Sequence, residues 1–272
     1  MKRAKRIPYG VSDFIDIIER NQYYVDKTMY IPKLEDEPDA LFFIRPRRFG
    51  KSLFISMLRA YYDIKRKDKF DKLFGNLWIG SHPTENQGKY QVLFLDFSKI
   101  GGAIEQLEEN FNAYCNECID SFMETYQEYY PARVVENVLN AKTAARKLNA
   151  IGIAAEKKNL PLYLIVDEYD NFTNVVLNEQ GEEVYTALTH ASGFYREIFK
   201  VFKGMFSKIF MTGVSPVTLD DLTSGFNIGW HISTKPAFNQ MLGFSTEDVR
   251  ELFTYYKENG EIRPDSDVEA II

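Results

Sequence analysis

The stretch Arg45-Pro46-Arg47-Arg48-Phe49-Gly50-Lys51-Ser52 stands between an apolar run, Leu41–Ile44, and a segment with helical periodicity, Lys51–Tyr62. One face of that segment is apolar and consists of Leu53, Phe54, Met57, Leu58 and Tyr61. Residues at this spacing share one side of an α-helix. A strand followed by a short loop and a helix N-terminus presents backbone N–H groups to an anion. The stretch therefore predicts a phosphate-binding loop.

The second half of this loop matches the pattern G-x-x-x-x-G-K-[ST], in which the lysine reaches the outer phosphates and the hydroxyl ligates magnesium. Arg45 occupies the position of the first glycine, and arginine does not readily take backbone angles that glycine tolerates. We therefore expect the loop to enter at a different angle or to bind more weakly. On this motif alone, a helix N-terminus with incidental basic residues remains an alternative. The expected nucleotide-binding residues are Arg47, Arg48, Phe49, Gly50, Lys51, Ser52 and Leu53.

A second candidate feature is the apolar run Leu162–Val166, which ends in the adjacent carboxylates Asp167 and Glu168. At the end of a strand, the first acid can hold magnesium together with Ser52, and the second can polarise the attacking water. Asp167 and Ser52 are therefore the expected metal ligands, and Glu168 is the expected catalytic carboxylate. The alternative is a strand that simply enters a solvated turn. We expect Asp170 to be structural or to cap a helix.

Short apolar runs alternate with helical segments along the chain, which predicts an α/β fold with a mostly parallel sheet flanked by helices. The runs are Leu41–Ile44, Gln91–Phe97, Leu162–Val166, Lys208–Met211 and, less clearly, Asn227–Ile232.

Some ATPases place an extra strand between the phosphate-loop strand and the acidic strand, and it ends in a polar sensor of the γ-phosphate. Thr212 is the expected sensor, with Ser215 as the second candidate.

The remaining segments organise the chain. Ala103–Asn159 shows no strand signal and predicts two or three helices, while Asn178–Glu183 resembles a surface loop. Another helix is expected to start at a Ser245–Thr246 cap and to end near Gly260. A break near Thr234–Pro236 divides an ATPase domain, 1–234, from the start of a helical lid or C-terminal module, 235–272. Because the last residues have an apolar helical pattern, we expect further chain to follow.

Composition argues against several functional classes. The chain has 272 residues, of which 45% are hydrophobic, and its formal net charge of -6 argues against a generally basic nucleic-acid-binding surface. Two local basic stretches, Met1–Arg6 and Lys65–Lys72, are more typical of solvated segments. Two cysteines, Cys115 and Cys118, lie in a predicted helix, and the histidines show no ligand spacing. Because no signal peptide and no membrane-length apolar run is found, the expected location is cytoplasmic.

Four motifs together resemble the AAA-ATPase-like family of bacterial and archaeal proteins. They are Tyr24-Val25-Asp26-Lys27-Thr28, the Arg45–Ser52 stretch, Asp167-Glu168-Tyr169-Asp170 and Thr212-Gly213-Val214-Ser215-Pro216. The pattern P-R-R-F-G-K-[ST] is highly specific to this family, in which the missing first glycine is normal. The resemblance extends from about Tyr9 to about Gly260.

This resemblance implies an AAA-like P-loop NTPase fold with ATP and Mg²⁺ as cofactors. Family members often carry a C-terminal nuclease-like domain of the PD-(D/E)xK type, which this sequence does not reach. Nuclease activity is therefore not assigned to this sequence, and such a domain is one route by which nucleic acid could be a partner. By position, the Tyr24–Thr28 motif is expected either to contact adenine or ribose or to be purely structural.

Three functions remain open from the sequence. The first is a Mg²⁺-dependent ATPase in which Lys51 neutralises phosphate charge, Glu168 positions water and Thr212 senses the γ-phosphate. The second is a nucleotide-dependent switch or scaffold with little turnover, for which the arginine at position 45 argues. The third is a nucleic-acid interaction module. A protein partner, a homo-oligomer and an arginine supplied in trans, with Arg196 or Arg250 as donor, also stay open.

Overall fold

The computed structural model of this chain describes residues 4–101, 106–171, 174, 176–177, 181, 194–215, 229–263, 265–267 and 269–270. Several predicted features fall wholly or partly outside these residues. They are the beginning of the Met1–Arg6 stretch, nearly all of the 178–183 loop, His190, Pro216, the first part of the 227–232 run and most of the C-terminal pattern at 268–272.

A five-stranded, all-parallel sheet forms the centre of the molecule. Its strands are β1 Ala40–Ile44, β2 Gln91–Asp96, β3 Leu162–Asp167, β4 Lys208–Gly213 and β5 Trp230–His231. They lie in the order β2-β3-β4-β1-β5. The extra strand β4 therefore lies between the phosphate-loop strand and the acidic strand, as predicted. Thr212 lies within β4 rather than beyond it, because the strand continues in register with β1 as far as Gly213.

Helices connect the strands and cover both faces of the sheet, as parallel strands require. Those that precede β2 are α1 Phe14–Glu19, α2 Tyr30–Glu35, α3 Lys51–Tyr62, α4 Phe70–Phe74 and α5 Trp78–Ser81. Those that follow are α6 Leu107–Tyr126, α7 Ala132–Asn140, α8 Ala144–Lys157, α9 Phe194–Met205 and α10 Thr246–Glu258. Short 3-10 helices span Ile64–Lys69, Phe97–Lys99, Gln127–Tyr129 and Pro236–Phe238.

Strand alternation divides the core into two hydrophobic clusters, one on each face of the sheet. On β1, Phe42 joins the cluster with α6, α8 and α9, while Leu41 and Phe43 join the cluster with α1 and α3. On β3, Leu164 and Ile165 divide in the same way. Every residue of β3 is buried, and the strand is apolar from Leu162 to Val166 before it ends in Asp167. The predicted α/β class with helices on both faces is confirmed.

Several local predictions are confirmed in detail. Helix α3 has the predicted bounds, and the Ala103–Asn159 region contains the three helices α6, α7 and α8. Helix α10 begins with a capping box, in which the Ser245 hydroxyl and the Asp248 carboxylate each accept from the other's backbone N–H. Both cysteines are free thiols on α6. Throughout the described residues, no helix is both long enough and apolar enough to cross a membrane.

Candidate active site

Polar side chains from three neighbouring elements meet at the carboxyl edge of the sheet. Asp167 ends β3 and is 3% exposed, while Thr212 comes from β4 and is 1% exposed. The Ser52 hydroxyl, at the start of α3, donates a 2.6 Å hydrogen bond to Asp167 Oδ2. Thr212 Oγ1 donates a 2.6 Å hydrogen bond to Asp167 Oδ1. The predicted metal ligands and the predicted sensor therefore share one carboxylate.

The phosphate loop makes its sharp turn later than the missing glycine suggested. Gly50 has a φ of 84° and Arg48 a φ of 69°, both in the left-handed region. Among the described residues, those with a positive φ do not include Arg45. A left-handed arginine costs roughly 1–3 kcal/mol, so Arg48 is a strained position within an exposed loop. The expected obstacle at Arg45 does not arise, because that position needs no glycine-like angle.

Arg45 instead anchors the loop to the segment that follows β5. Its Nη1 donates to the carbonyl oxygens of Ile44 at 3.1 Å and Ser233 at 3.0 Å, and the guanidinium lies 4.6 Å from the centroid of the Phe43 ring. The Ile44 N–H donates to Ser233 Oγ at 2.7 Å. Burial lowers the pKa of Arg45, yet a guanidinium stays charged in proteins. The departure from the glycine pattern thus adds a structural contact.

Lys51 carries the central positive charge of the site. Its side chain is buried, and Nζ donates to the carbonyl oxygens of Arg45 at 3.0 Å and Pro46 at 3.1 Å. Burial lowers the pKa of Lys51, and the negative charges of Asp167 and Glu168 oppose that shift. Loop carbonyls are neutral acceptors. Phosphate oxygens, being charged, are stronger acceptors that could replace them.

Glu168 lies on a left-handed turn directly after the acidic strand, with a φ of 50°. Its N–H donates to Asp167 Oδ1 at 3.0 Å, and its carbonyl oxygen accepts from the Asn171 N–H at 2.9 Å. Burial raises the pKa of this carboxyl and so does the charge of Asp167, while Lys51 and Arg47 oppose the rise. A half-buried carboxylate with a raised pKa has the properties of a general base.

Asp170 organises the loop that follows β4. It is 1% exposed and accepts hydrogen bonds from the backbone N–H groups of Val214 and Ser215, and from the Asn174 amide. The Ser215 carbonyl oxygen accepts from the Tyr169 hydroxyl at 2.7 Å. These contacts give Asp170 the structural role expected from the sequence.

The other residues predicted to bind nucleotide contact different parts of the structure. Arg47 Nη2 donates to Asn171 Oδ1 at 3.2 Å, near the acidic strand. Arg48 contributes to the wall of a neighbouring cavity. Phe49 is 44% exposed, and its carbonyl oxygen accepts from the Gly243 N–H at 3.0 Å. Leu53, half-buried on α3, belongs to the same cavity wall.

This cavity of about 220 Å³ lies beside the phosphate loop and has mainly apolar walls. Its walls include Tyr24, Val25, Gly50, Leu53, the 241–244 segment and Leu252 on α10. The C-terminal wall was missed by sequence reasoning, since no motif marks those residues and they lie far along the chain. A flat, largely apolar ring would fit between such walls.

The residues of the Tyr24–Thr28 motif have two different kinds of contact. Tyr24 and Val25 line the cavity. Asp26 accepts from the backbone N–H of Thr28 at 2.8 Å and of Trp78 at 2.6 Å, so this half of the motif is structural and holds α5. Lys27 forms a 2.6 Å ion pair with Asp248 of α10. The structural alternative therefore applies to Asp26, while Tyr24 and Val25 keep the ligand alternative open.

The two arginines named as possible donors in trans, Arg196 and Arg250, lie on helices α9 and α10. Arg250 makes a double hydrogen bond to Glu269, at 2.7 and 2.9 Å. Arg196 lies on α9, and its buried Nε has no hydrogen-bond partner in the described structure. The basic stretch Lys65–Lys72 is also partly neutralised, since Lys65 pairs with Glu128 and Lys72 with Glu19, each at 2.6 Å.

The donor set fits a magnesium ion. Ser52 and Asp167 offer a hydroxyl and a carboxylate oxygen next to each other, and Mg²⁺ prefers oxygen ligands. No group of three His, Cys, Asp or Glu side chains within the described ranges could hold a metal. Because Mg²⁺ usually binds through one or two protein oxygens plus water and substrate phosphates, two protein ligands suffice.

Comparison with known proteins identifies the family. A family model described as "Predicted AAA-ATPase" matches residues 8–223. The chain is also 26% identical over 264 residues to an "Uncharacterized protein in vnfD 5'region" of Azotobacter chroococcum mcd 1. That match covers 92% of this chain and 45% of the relative, so the chain spans less than half the length of that relative. Since the family model covers most of the chain and the sheet is that of a P-loop NTPase, this protein belongs to the AAA-ATPase-like family.

Proposed function

We propose that this chain binds ATP with Mg²⁺ and hydrolyses it to ADP and phosphate, and that this cycle drives a conformational change. The observation that carries the proposal is the convergence of Ser52 and Thr212 on the two oxygens of Asp167. A buried carboxylate between two hydroxyls, next to a buried lysine, is suited to hold a metal-bound triphosphate.

Each site residue has a role in this proposal. Lys51 exchanges its two carbonyl acceptors for phosphate oxygens, and the N–H groups at the start of α3 bind the same phosphates. Ser52 and Asp167 hold Mg²⁺, which supplies positive charge to the phosphates when bound. Glu168 accepts a proton from the attacking water, and Thr212 holds Asp167 in place while it senses the γ-phosphate.

The cavity beside the loop is the proposed site of the adenine ring. Its apolar walls suit the faces of a purine, and its volume of about 220 Å³ suits a base rather than a whole nucleotide. Because Arg48, Phe49 and Gly50 belong to both the loop and the wall, base and phosphates would lie on adjoining surfaces.

A nucleotide-dependent switch with little turnover is the second candidate. The observation that favours it is the hydrogen bond between the Phe49 carbonyl oxygen and the Gly243 N–H, which joins the phosphate loop to the segment before α10. A nucleotide that moves the loop would then move α10 even without hydrolysis.

For both candidate functions, we propose that residues 1–234 form the ATPase domain and that 235–272 begin a lid.

The test combines binding and turnover. ATP with Mg²⁺ is titrated by calorimetry, and phosphate release is measured, for the parent chain, Lys51→Ala, Glu168→Gln and Arg133→Ala. Arg133 is an exposed residue of α7, away from the loop and cavity, and provides the control. We expect Lys51→Ala to lose binding, and Glu168→Gln to keep binding but lose turnover by at least about a hundredfold.

Two outcomes would change the proposal. If Lys51→Ala binds ATP as tightly as the parent, the site is misplaced. If the parent binds ATP without releasing phosphate and Glu168→Gln behaves identically, the switch function replaces hydrolysis. A parallel test with GTP measures how strongly the cavity selects adenine.

A further inference from the structure

Two consecutive arginines in the phosphate loop take separate directions. Arg48 has left-handed backbone angles and contributes to the wall of the base cavity. Arg47 instead donates to Asn171 Oδ1 on the far side of the loop, close to the acidic strand. The turn at Arg48 thus divides the positive charge of the loop between the base end and the hydrolytic end of the site.

The partner of Arg47 belongs to the turn of the proposed catalytic carboxylate. The Asn171 N–H donates to the Glu168 carbonyl oxygen at 2.9 Å, so one short turn connects the guanidinium to Glu168. Arg47 is therefore joined, through Asn171, to the turn that carries the carboxylate proposed to position the attacking water.

Its present contact is easily exchanged. Arg47 is exposed and is held by one 3.2 Å hydrogen bond to a neutral amide, which a charged phosphate oxygen can replace at little cost. By contrast, Arg45 is anchored on the Ile44 and Ser233 carbonyl oxygens, and Arg250 is paired with Glu269. Those two arginines would have to break several contacts to reach the site.

We infer that Arg47 is a catalytic residue that contacts the γ-phosphate and performs in cis the task that other ATPases assign to an arginine from a second subunit. The inference rests on the proposed function and extends it. Asn171 keeps Arg47 beside Glu168 until nucleotide binds. A single chain then carries its own transition-state arginine.

The chemical step shows why a guanidinium is useful here. The water oxygen forms a bond to the γ-phosphorus as the bond to the β,γ-bridging oxygen breaks, and that electron pair leaves with ADP. Glu168 takes the proton of the water. Negative charge spreads over the γ-phosphoryl oxygens and the bridging oxygen during this step, and a planar guanidinium can donate two parallel hydrogen bonds to it.

The experiment compares a ground state with a transition-state analogue. With Mg²⁺ present, the affinity for ADP alone and for ADP with aluminium fluoride is measured for the parent, Arg47→Ala, Arg47→Lys and the control Arg133→Ala. We expect Arg47→Ala to bind ADP within about threefold of the parent and to lose at least about tenfold in affinity for the analogue. Its turnover number should fall by about a hundredfold or more. Arg47→Lys should have an analogue affinity and a turnover number between those of the parent and Arg47→Ala, because lysine keeps the positive charge but cannot donate two parallel hydrogen bonds.

A mixing experiment separates action in cis from action in trans. Arg47→Ala and Lys51→Ala chains are mixed in equal amounts, and phosphate release is measured over a range of total concentration. Action in cis predicts no recovery at any concentration, whereas recovery would overturn the inference. Unchanged analogue affinity and turnover in Arg47→Ala would also overturn it, with the proposed function intact. A parent chain without turnover overturns both.

Discussion

Thr212 Oγ1 donates a 2.6 Å hydrogen bond to Asp167 Oδ1, and this contact joins the middle strand of the sheet to the acidic strand beside it. The same oxygen accepts from the Glu168 N–H at 3.0 Å, and the other carboxylate oxygen accepts from Ser52. Asp167 is therefore held from three sides before any ligand binds. If a metal ion and a phosphate bind at this edge, as we propose, such preorganisation reduces the cost of placing them.

Thr212→Val should impair turnover more than binding, because it removes the hydroxyl that orients Asp167. We expect the turnover number to fall about tenfold to hundredfold, with ATP affinity within about threefold of the parent. Phosphate release and calorimetry measure the two quantities. Thr212→Ser keeps the hydroxyl and should stay close to the parent. A Thr212→Val chain with normal turnover would contradict the role given to this threonine.

Gly213→Ala should destabilise the fold, because a Cβ there would lie 2.5 Å from Tyr169 Cε1 and 2.6 Å from Asp170 Oδ1. Both neighbours are buried, so we expect a loss of about 1–3 kcal/mol in the free energy of unfolding. Gly204→Ala on α9 is the matched control, since nothing lies within 4 Å of its Cβ. That change should stabilise by about 0.5–1 kcal/mol through helix propensity. Urea denaturation measures the free energy of unfolding of both variants. If Gly213→Ala and Gly204→Ala change it equally, a steric clash at Gly213 is not the cause.

The ion pair between Lys27 and Asp248 should make the docking of α10 depend on pH. Burial by itself raises the pKa of Asp248, but hydrogen bonds from Lys27 and Ser245 outweigh it, and the net pKa lies below the ordinary value of 3.8. A carboxyl with a lowered folded pKa stabilises the fold above its unfolded pKa. That contribution is lost as the pH falls through the folded pKa.

We therefore expect Lys27→Ala to cost roughly 1–3 kcal/mol at pH 7, because the two side chains are only 11% and 14% exposed, and to cost less at pH 3. Urea unfolding at both pH values measures the difference. Arg20→Ala is the control, since its pair with Asp16 is 60% and 49% exposed and should contribute little. A cost for Lys27→Ala that is the same at both pH values would show that the ion pair is not its source.

Leu252→Trp should separate base binding from phosphate binding. Leu252 lies on the cavity wall, and an indole there would occupy the space proposed for adenine. We expect ATP affinity to fall about tenfold, or ~1.4 kcal/mol, with tripolyphosphate affinity unchanged. Displacement of a fluorescent nucleotide measures both ligands. Leu139→Trp, on the exposed surface of α7, is the control. If ATP and tripolyphosphate weaken together, the cavity is not the base site.

Local sequence patterns account for most of the fold. The apolar spacing of α3 and the Ser245–Asp248 capping box predicted both helices with little error, because helical periodicity and capping depend on residues within one or two turns. The apolar runs similarly predicted β1, β3 and β4, since strands buried on both faces of a sheet are mostly apolar. Short helices such as α4 and α5 went unpredicted, because so few residues carry too little periodicity.

By itself, the sequence determined the α/β class and the order along the chain of the strands β1, β3 and β4, and it predicted a site with Lys51, Ser52, Asp167 and Thr212. Only the tertiary structure decided that Arg45 binds the Ser233 carbonyl oxygen, that α10 and the 241–244 segment line the cavity beside the phosphate loop, and that Arg47 contacts Asn171. The physical reason is that hydrophobic periodicity acts over a few neighbouring residues. Which distant side chains meet depends on how the loops and helices pack around the sheet, and the spacing of residues along the chain does not encode that packing.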